Sequence, residues 1–259
     1  RMGRVYVAEH IVIARRVALK VLRRDQSSNE RSVSRFFAEA RVVNQIHHAG
    51  IVEVTDLFID DGQPCIVMEL LEGDTLADVI ARGGHLSVRD ALLVTRQVAD
   101  ALAAAHRHGV VHRDLKPENI FLAQKDGMLR AKVLDFGVAK LHDSLEHTGK
   151  KTAAGTIIGT PEYMAPEQLA GRPVDHRADI YALGICLYEA LCGKRPFHDV
   201  FGDLVVQHLT VEPAPLVAVP GPVARLVKQL LEKDPEKRPQ TMADVVAALD
   251  AVAGFTTRE

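Results

Sequence analysis

The pattern of hydrophobic and polar positions divides the chain into a β-rich start and a helical remainder. Residues 4–9 (Arg-Val-Tyr-Val-Ala-Glu) and 16–22 (Arg-Val-Ala-Leu-Lys-Val-Leu) are β-rich runs with a short connection, which predicts a hairpin. From about 29 to 47, Val33, Phe36, Phe37, Ala40, Val43 and Ile46 recur three or four apart, as on one face of an amphipathic helix. Residues 52–57 and 64–70 predict two further strands around the turn Asp60-Asp61-Gly62. Residues 66–73 shift from apolar to mixed, and from Thr75 the period is helical. Ser87 with Asp90 resembles a capping box, with Asp in place of Glu or Gln. It opens a helix that carries Ala91, Leu92, Val98, Ala99 and Leu102 and ends at Gly109. Residues 132–134 form a short strand. Residues 135–167 are rich in Gly, Thr, Lys and His with little regular pattern, and a loop of that length is usually functional or disordered. Residues 174–255 read as helices. The longest of these, about 175–191, is mostly apolar and is predicted to be buried. Pro213, Pro215, Pro220 and Pro222 mark one irregular connection, and no internal repeat is visible.

The chemistry concentrates at residues 112–119, His-Arg-Asp-Leu-Lys-Pro-Glu-Asn. Asp114 and Asn119 are five positions apart, and Pro117 between them blocks a regular helix, so the stretch is a rigid loop framed by apolar runs. It presents a carboxylate, an ammonium and an amide from one short piece of backbone. That set suits a hydroxyl nucleophile, a polyanion and a hard metal ion. The carboxylate can orient the hydroxyl and take its proton, Lys116 can neutralise developing charge, and the amide oxygen can bind Mg²⁺.

This stretch resembles the catalytic loop of the eukaryotic-type protein kinases, and partner motifs follow in the family's order. Gly3-Arg4-Val5 resembles the tail of a glycine-rich loop, Gly-x-Gly-x-x-Gly-x-Val, whose first two glycines and leading strand would precede residue 1. Val17-Ala18-Leu19-Lys20 resembles the third-strand motif, which implies that Lys20 meets the α- and β-phosphates and pairs with Glu39 on the helix. The sequence suggests a pair of the exposed kind, worth little to stability. By the same resemblance Met68 is the gatekeeper, and the backbone of Glu69 and Leu71 contacts adenine. Val5 and Ala18 above and Phe121 below would sandwich the ring. Asp135-Phe136-Gly137 implies that Asp135 holds Mg²⁺ together with Asn119. Residues 159–167, Gly-Thr-Pro-Glu-Tyr-Met-Ala-Pro-Glu, resemble the substrate-docking end of a serine/threonine kinase activation segment. Thr160 would join Asp114 and Lys116 in a cluster that receives a short hydroxyl. Asp179 would brace the catalytic-loop backbone, and Arg238 would pair with Glu167.

The resemblance covers essentially the whole chain. It implies an α+β, bilobal protein-kinase fold, with a small antiparallel-sheet lobe over residues 1–70 and a larger helical lobe over 71–259. The idiom of residues 109–112 and 175–181 is most similar to the bacterial members. The function implied is an ATP-dependent serine/threonine protein kinase that uses Mg²⁺, with Mn²⁺ as an alternative. Two other classes compete. A pseudokinase is disfavoured because Lys20, Glu39, Asp114, Asn119 and Asp135 are all chemically competent types. A small-molecule kinase is disfavoured by the peptide-docking segment. Arg113, next to the catalytic aspartate, implies activation by a phosphate on the activation segment. Thr156 is the first candidate, with Thr152 and Thr148 behind it, and Lys140 is a second basic group for the same pocket. Autophosphorylation between two transiently associated molecules is the expected route.

Composition alters this picture little. The 259 residues are 47% hydrophobic, enough for a sizeable core. A net charge of −2 offers no broad basic field for nucleic acid or an anionic membrane. Cys65, Cys186 and Cys192 have no metal or redox spacing and lie in apolar runs, which predicts buried free thiols in a reducing cytoplasm. His142 and His147 read as solvated loop residues. No apolar run would span a bilayer and no signal peptide is visible, and both ends read as cut from a longer chain.

Overall fold

The computed structural model of the protein describes residues 3–125, 128–136, 160–198 and 204–256. It opens on a four-stranded antiparallel sheet with spatial order β1-β2-β4-β3, formed by β1 (Gly3–Glu9), β2 (Arg16–Leu22), β3 (Val54–Asp60) and β4 (Gln63–Glu69). The period of two in β2 decides its faces. Ala18, Lys20 and Leu22 turn inward, while Val17, Leu19 and Val21 alternate with them and stay partly exposed. The predicted hairpin therefore forms with Lys20 on the buried face, opposite Val5 of β1 and Ile66 of β4. The β3–β4 turn places Asp61 and Gly62 both at positive φ, the pairing that two-residue hairpins favour.

A one-turn helix α1 (Arg24–Ser27) precedes α2 (Glu30–Asn44). Asn29 caps α2, its side chain accepting from Arg31 N and Ser32 N. Phe36 and Ala40 face the sheet and form a small core with Leu22 and Ile66. Full burial of Phe36 alone contributes about 2–3 kcal/mol. The helix stops at Asn44 rather than near 47, and β3 runs 54–60 rather than 52–57. The strand starts late because Gly50 and Val52 bond to the backbone of Val133 instead.

The second body begins with β5 (Gly73–Thr75), which joins β6 (Ile120–Lys125) and β7 (Met128–Val133) in a three-stranded sheet. Helices α3 (Leu76–Gly83), α4 (Val88–Arg107), α5 (Pro166–Leu169), α6 (Arg177–Cys192), α7 (Leu204–Thr210), α8 (Gly221–Leu230) and α9 (Met242–Thr256) make up the rest, with α3 packed on β5 and β6 and α4 on β7. Thr75 and Asp78 form a reciprocal capping box on α3, and Ser87 caps α4 through Asp90 N. The apolar α6 is buried along nearly its whole length between α4 and α8. It ends at Gly193, whose φ of +70° and close approach to the Gly84 backbone leave no room for a Cβ. Cys65 and Cys186 are buried, but Cys192 is partly exposed, because it is the last residue of α6. The main core runs from the helical body up to Val43, Ile46 and Ile51, so the two bodies share one apolar core, which includes Phe136. Among the described residues no helix is long and apolar enough to cross a membrane.

Candidate active site

The catalytic-loop candidate is a strained backbone held by one buried carboxylate. Arg113 sits at φ +61°, a region that costs a non-glycine residue roughly 1–2 kcal/mol. Asp179, fully buried on α6, offsets that strain. Its Oδ2 accepts from His112 N at 2.8 Å and its Oδ1 from Arg113 N at 2.8 Å. His106 Nε2, at the end of α4, lies 2.8 Å from the same carboxylate. Burial alone would raise the Asp179 carboxyl, but the bond and charge of His106, with the Arg113 N–H, hold it below the ordinary value. His112 is itself fully buried. Its Nδ1 accepts from Asp114 N at 3.2 Å and its Nε2 donates to Leu134 O at 3.0 Å, an arrangement that requires neutral imidazole. Burial, the leading cause, lowers its pKa accordingly. Phe136 packs against the ring with centroids 4.8 Å apart and planes tilted by 45°, and is fully buried.

On this base the loop's polar groups converge. Pro117 starts a 3-10 turn over Pro117–Asn119, in place of the helix it forbids. Lys116 Nζ lies 3.4 Å from Asp114 Oδ2 and donates to Thr160 Oγ1 at 2.9 Å. The structure thus brings Lys116 and Thr160, 44 positions apart, together beside Asp114. Asn119 Nδ2 donates to Asp114 O at 2.8 Å, so its oxygen is the end available to a cation. Leu134 N donates to Asn119 O at 2.8 Å, which ties the residue before Asp135 to Asn119. Asp135 adopts φ +46°, a second non-glycine residue in the left-handed region. Asn119 and Asp135 offer hard oxygen donors from adjacent segments, a set that fits Mg²⁺ or Mn²⁺ completed by phosphate and water.

Lys20 reaches this corner from the first sheet. Its Nζ is 2.6 Å from Asp135 Oδ1 and 3.7 Å from Glu39 Oε1. The expected Lys20–Glu39 pair is present, but Asp135 is the closer partner. The expectation of an exposed pair is also corrected, since the Lys20 and Glu39 side chains are only 11% and 14% exposed. The reason is that the pair lines a small pocket whose apolar walls are the side chains of Ala40, Val43, Val52, Val54, Ile66 and Met68. Burial pulls the Lys20 ammonium down, but Asp135 and then Glu39 outweigh it, and its pKa is raised. The Glu39 carboxyl is pushed up to about 7, by burial first, with Asp135 and Asp114 adding to it and Lys20 opposing.

The remaining predicted residues fall around this cluster. Gly3 opens β1 opposite Leu22, and Val5 is 60% exposed opposite Lys20. Ala18 pairs with Met68 across β2 and β4. Glu69 ends β4, Leu71 follows it, and Phe121 lies on β6 between Thr75 and Lys132. Glu167 and Arg238 form a bidentate pair with both bonds at 2.8 Å, 6% and 0% exposed. Arg238 also donates to three main-chain carbonyls, of Glu232, Arg177 and Lys233. Arg113 Nε is buried with no hydrogen-bond partner among the described residues, and burial lowers the pKa of its guanidinium. Gly137, Lys140, His142, His147, Thr148, Thr152, Thr156 and Gly159 lie outside the described residues.

Sequence reasoning missed His106 as a partner of Asp179, and Gln168, which donates to Arg113 O at 3.2 Å. It also missed Lys132, whose ammonium bonds to Glu69 Oε1. None carries a signal that separates it from a solvated polar residue on a helix or strand.

A model of the protein kinase domain family matches residues 1–248. The serine/threonine-protein kinase Pkn1 of Myxococcus xanthus is 46% identical over 248 residues, covering 93% of this chain and 35% of that protein. PknA of Mycobacterium tuberculosis is 38% identical over 260 residues, covering 96% and 59% respectively. The chain thus spans about a third of the length of the Myxococcus Pkn1 and pkn2 proteins it matches, 35% and 32%. The crystal structure of the Mycobacterium tuberculosis PknI kinase domain superposes with a TM-score of 0.73 at 28% identity, covering 97% of this chain and 91% of that one. With the family model matched over nearly the whole chain, the chain belongs to the protein kinase domain family.

Proposed function

We propose that this domain transfers the γ-phosphate of ATP to serine and threonine hydroxyls of proteins. The observation that carries the reading is the convergence of Asp114, Lys116 and Thr160 beside Asn119, with Lys20 held on Asp135. Asp114 orients the acceptor hydroxyl and takes its proton as the oxygen bonds to the γ-phosphorus and the bond from that phosphorus to the departing ADP breaks. Lys116, held between Asp114 and Thr160, neutralises charge on the transferring group. Lys20 leaves Asp135 for the α- and β-phosphates, and Glu39 keeps it aimed there. Mg²⁺ held by Asn119 and Asp135 would neutralise phosphate charge, and Mn²⁺ would serve the same donors. The backbone of Glu69 and Leu71 reads adenine, Met68 stands behind it, and Val5, Ala18 and Phe121 wall it. Glu69 offers adenine its carbonyl, because its N–H already donates to Glu53 O at 3.0 Å. Gly3 belongs to the phosphate-covering loop. The lobes 1–70 and 71–259 close on the nucleotide between them.

The relatives named serine/threonine-protein kinases support the acceptor type. The short Asp114–Lys116–Thr160 cluster supports it independently, because a phenol would have to enter from further away. The buried Arg113 Nε supports regulation by an activation-segment phosphate, placed on Thr156 by autophosphorylation between two molecules, with Lys140 as a second contact. A cytoplasmic signalling role fits this chemistry. The test is to incubate the protein with radiolabelled ATP, Mg²⁺ and casein, followed by phosphoamino-acid analysis. Phosphoserine and phosphothreonine are the expected products. Phosphotyrosine, or no transfer to protein, would overturn the reading.

A further inference from the structure

Glu69 and Lys132 line an open cleft of about 810 Å³ that shares no residue with the pocket around Lys20, Glu39 and Asp135. Their side chains are 21% and 18% exposed, which sets them apart from ordinary surface ion pairs. Three parts of the fold meet at this pair. Glu69 Oε1 accepts from Lys132 Nζ and also from Glu53 N at 2.9 Å. Lys132 Nζ reaches Ile51 O at 3.4 Å. Beneath it, Val133 N donates to Gly50 O at 2.8 Å and Val52 N to Val133 O at 3.3 Å, an isolated parallel bridge between Ile51 and Val133. The end of β4, the approach to β3 and the end of β7 are therefore closed into one ring of hydrogen bonds.

The ring has a consequence for the reaction. Glu69 stands at the adenine end of the nucleotide cleft, and Lys132 lies three residues before Asp135 on the same strand exit. From this we infer that the Glu69–Lys132 pair is a positioning clamp that fixes the nucleoside-reading backbone relative to the metal-holding aspartate. The inference rests on the kinase reading of the cleft. The two paired side chains touch neither nucleotide nor acceptor, and act through the main chain of Glu69, which reads adenine, and through Asp135. A ligand that spans both ends must feel its loss, while one that occupies only the nucleoside end must not. Each half of the pair also depends on the other. Without Lys132, Glu69 Oε1 keeps only the Glu53 N–H, and without Glu69 the Lys132 ammonium keeps only a long bond to Ile51 O.

The experiment compares adenosine and Mg·ATP affinity for the wild type, Lys132→Met, Glu69→Met, which leaves no side-chain acceptor, the double variant and Lys132→Arg. We expect Mg·ATP to weaken about tenfold in each single variant, with adenosine within about threefold of wild type. The double variant should be no worse than either single one, and Lys132→Arg should restore most of the loss. Amide hydrogen exchange without nucleotide supplies a second readout, because the Glu69 and Val133 N–H groups both lie in the ring. Their exchange should quicken in Lys132→Met while the α6 amides stay as in wild type. Equal weakening of adenosine and Mg·ATP, additive single effects, or unchanged exchange at Glu69 and Val133 would each overturn the clamp. A wild type that binds neither ligand would instead overturn the nucleotide reading, and the exchange measurement would still decide whether the pair couples the strands.

Discussion

Replacing Glu39 with glutamine should stabilise the nucleotide-free protein at high pH, although Glu39 is the expected partner of Lys20. Four groups face one another here: Glu39 on α2, Lys20 on β2, Asp135 after β7 and Asp114 on the catalytic loop. Lys20 is satisfied first by Asp135 at 2.6 Å, so the buried Glu39 carboxyl gains little by ionising. Its pKa is pushed from an ordinary 4.5 to about 7 in the folded chain. Between those values the folded protein holds a proton that the unfolded chain has released. The associated stability is fully present below 4.5 and is lost as pH rises through about 7. At about 1.4 kcal/mol per pH unit, the displacement corresponds to on the order of 3 kcal/mol. Glu39→Gln keeps the shape of the neutral acid and cannot ionise. The variant and the wild type should match near pH 4.5, and by pH 8 the variant should be the more stable by up to on the order of 3 kcal/mol. Urea denaturation at a series of pH values measures this, provided that the transition is a single one. Parallel pH curves for the two proteins, or a variant less stable at pH 8, would refute the reasoning. Function should move the other way, because a neutral amide at this position cannot hold Lys20 electrostatically once a cation occupies Asp135.

Arg238→Met strands the Glu167 carboxylate in the core and should cost about 3–5 kcal/mol by denaturant unfolding, whereas a cost below about 1 kcal/mol would contradict the buried pair. Asp135→Asn should weaken Mg·nucleotide binding in calorimetry while leaving adenosine binding near the wild-type value. Thr156→Ala should lower the activity of protein pre-incubated with ATP, and mass spectrometry should find phosphate on Thr156 of the wild type. A fully active Thr156→Ala protein phosphorylated only elsewhere would remove the switch.

Local patterns were legible in the sequence where a local rule decides the structure. The alternation Ala18–Lys20–Leu22 marks the buried face of β2, and the spacing of Phe36, Ala40 and Val43 marks that of α2. Strand β3 was misplaced because it is an edge strand, exposed on both faces over most of its length, with an irregular register between Val54 and Asp56. Its expected first residue, Val52, instead bonds to Val133, a tertiary choice that no local period encodes. The catalytic loop was legible because Asp114, Lys116 and Asn119 are close in sequence. Asp179, Glu167 and Arg238 were legible only through motif resemblance. His106, 73 positions from Asp179, and Lys132, 63 positions from Glu69, were not, because a polar residue's partner across the fold leaves no trace in its neighbours. The preference of Lys20 for Asp135 over Glu39 likewise depends on which carboxylate the fold brings nearer.

The central claim is that Asp114 serves as the base of a phosphoryl transfer to protein hydroxyls. Its most direct test is the rate of γ-phosphate transfer to casein by the wild type and by Asp114→Asn, measured with Mg·ATP affinity on the same preparations. Asp114→Asn should lose transfer by about 10²–10⁴-fold, with nucleotide affinity and unfolding midpoint close to wild type. Transfer at near wild-type rate in Asp114→Asn would contradict the claim.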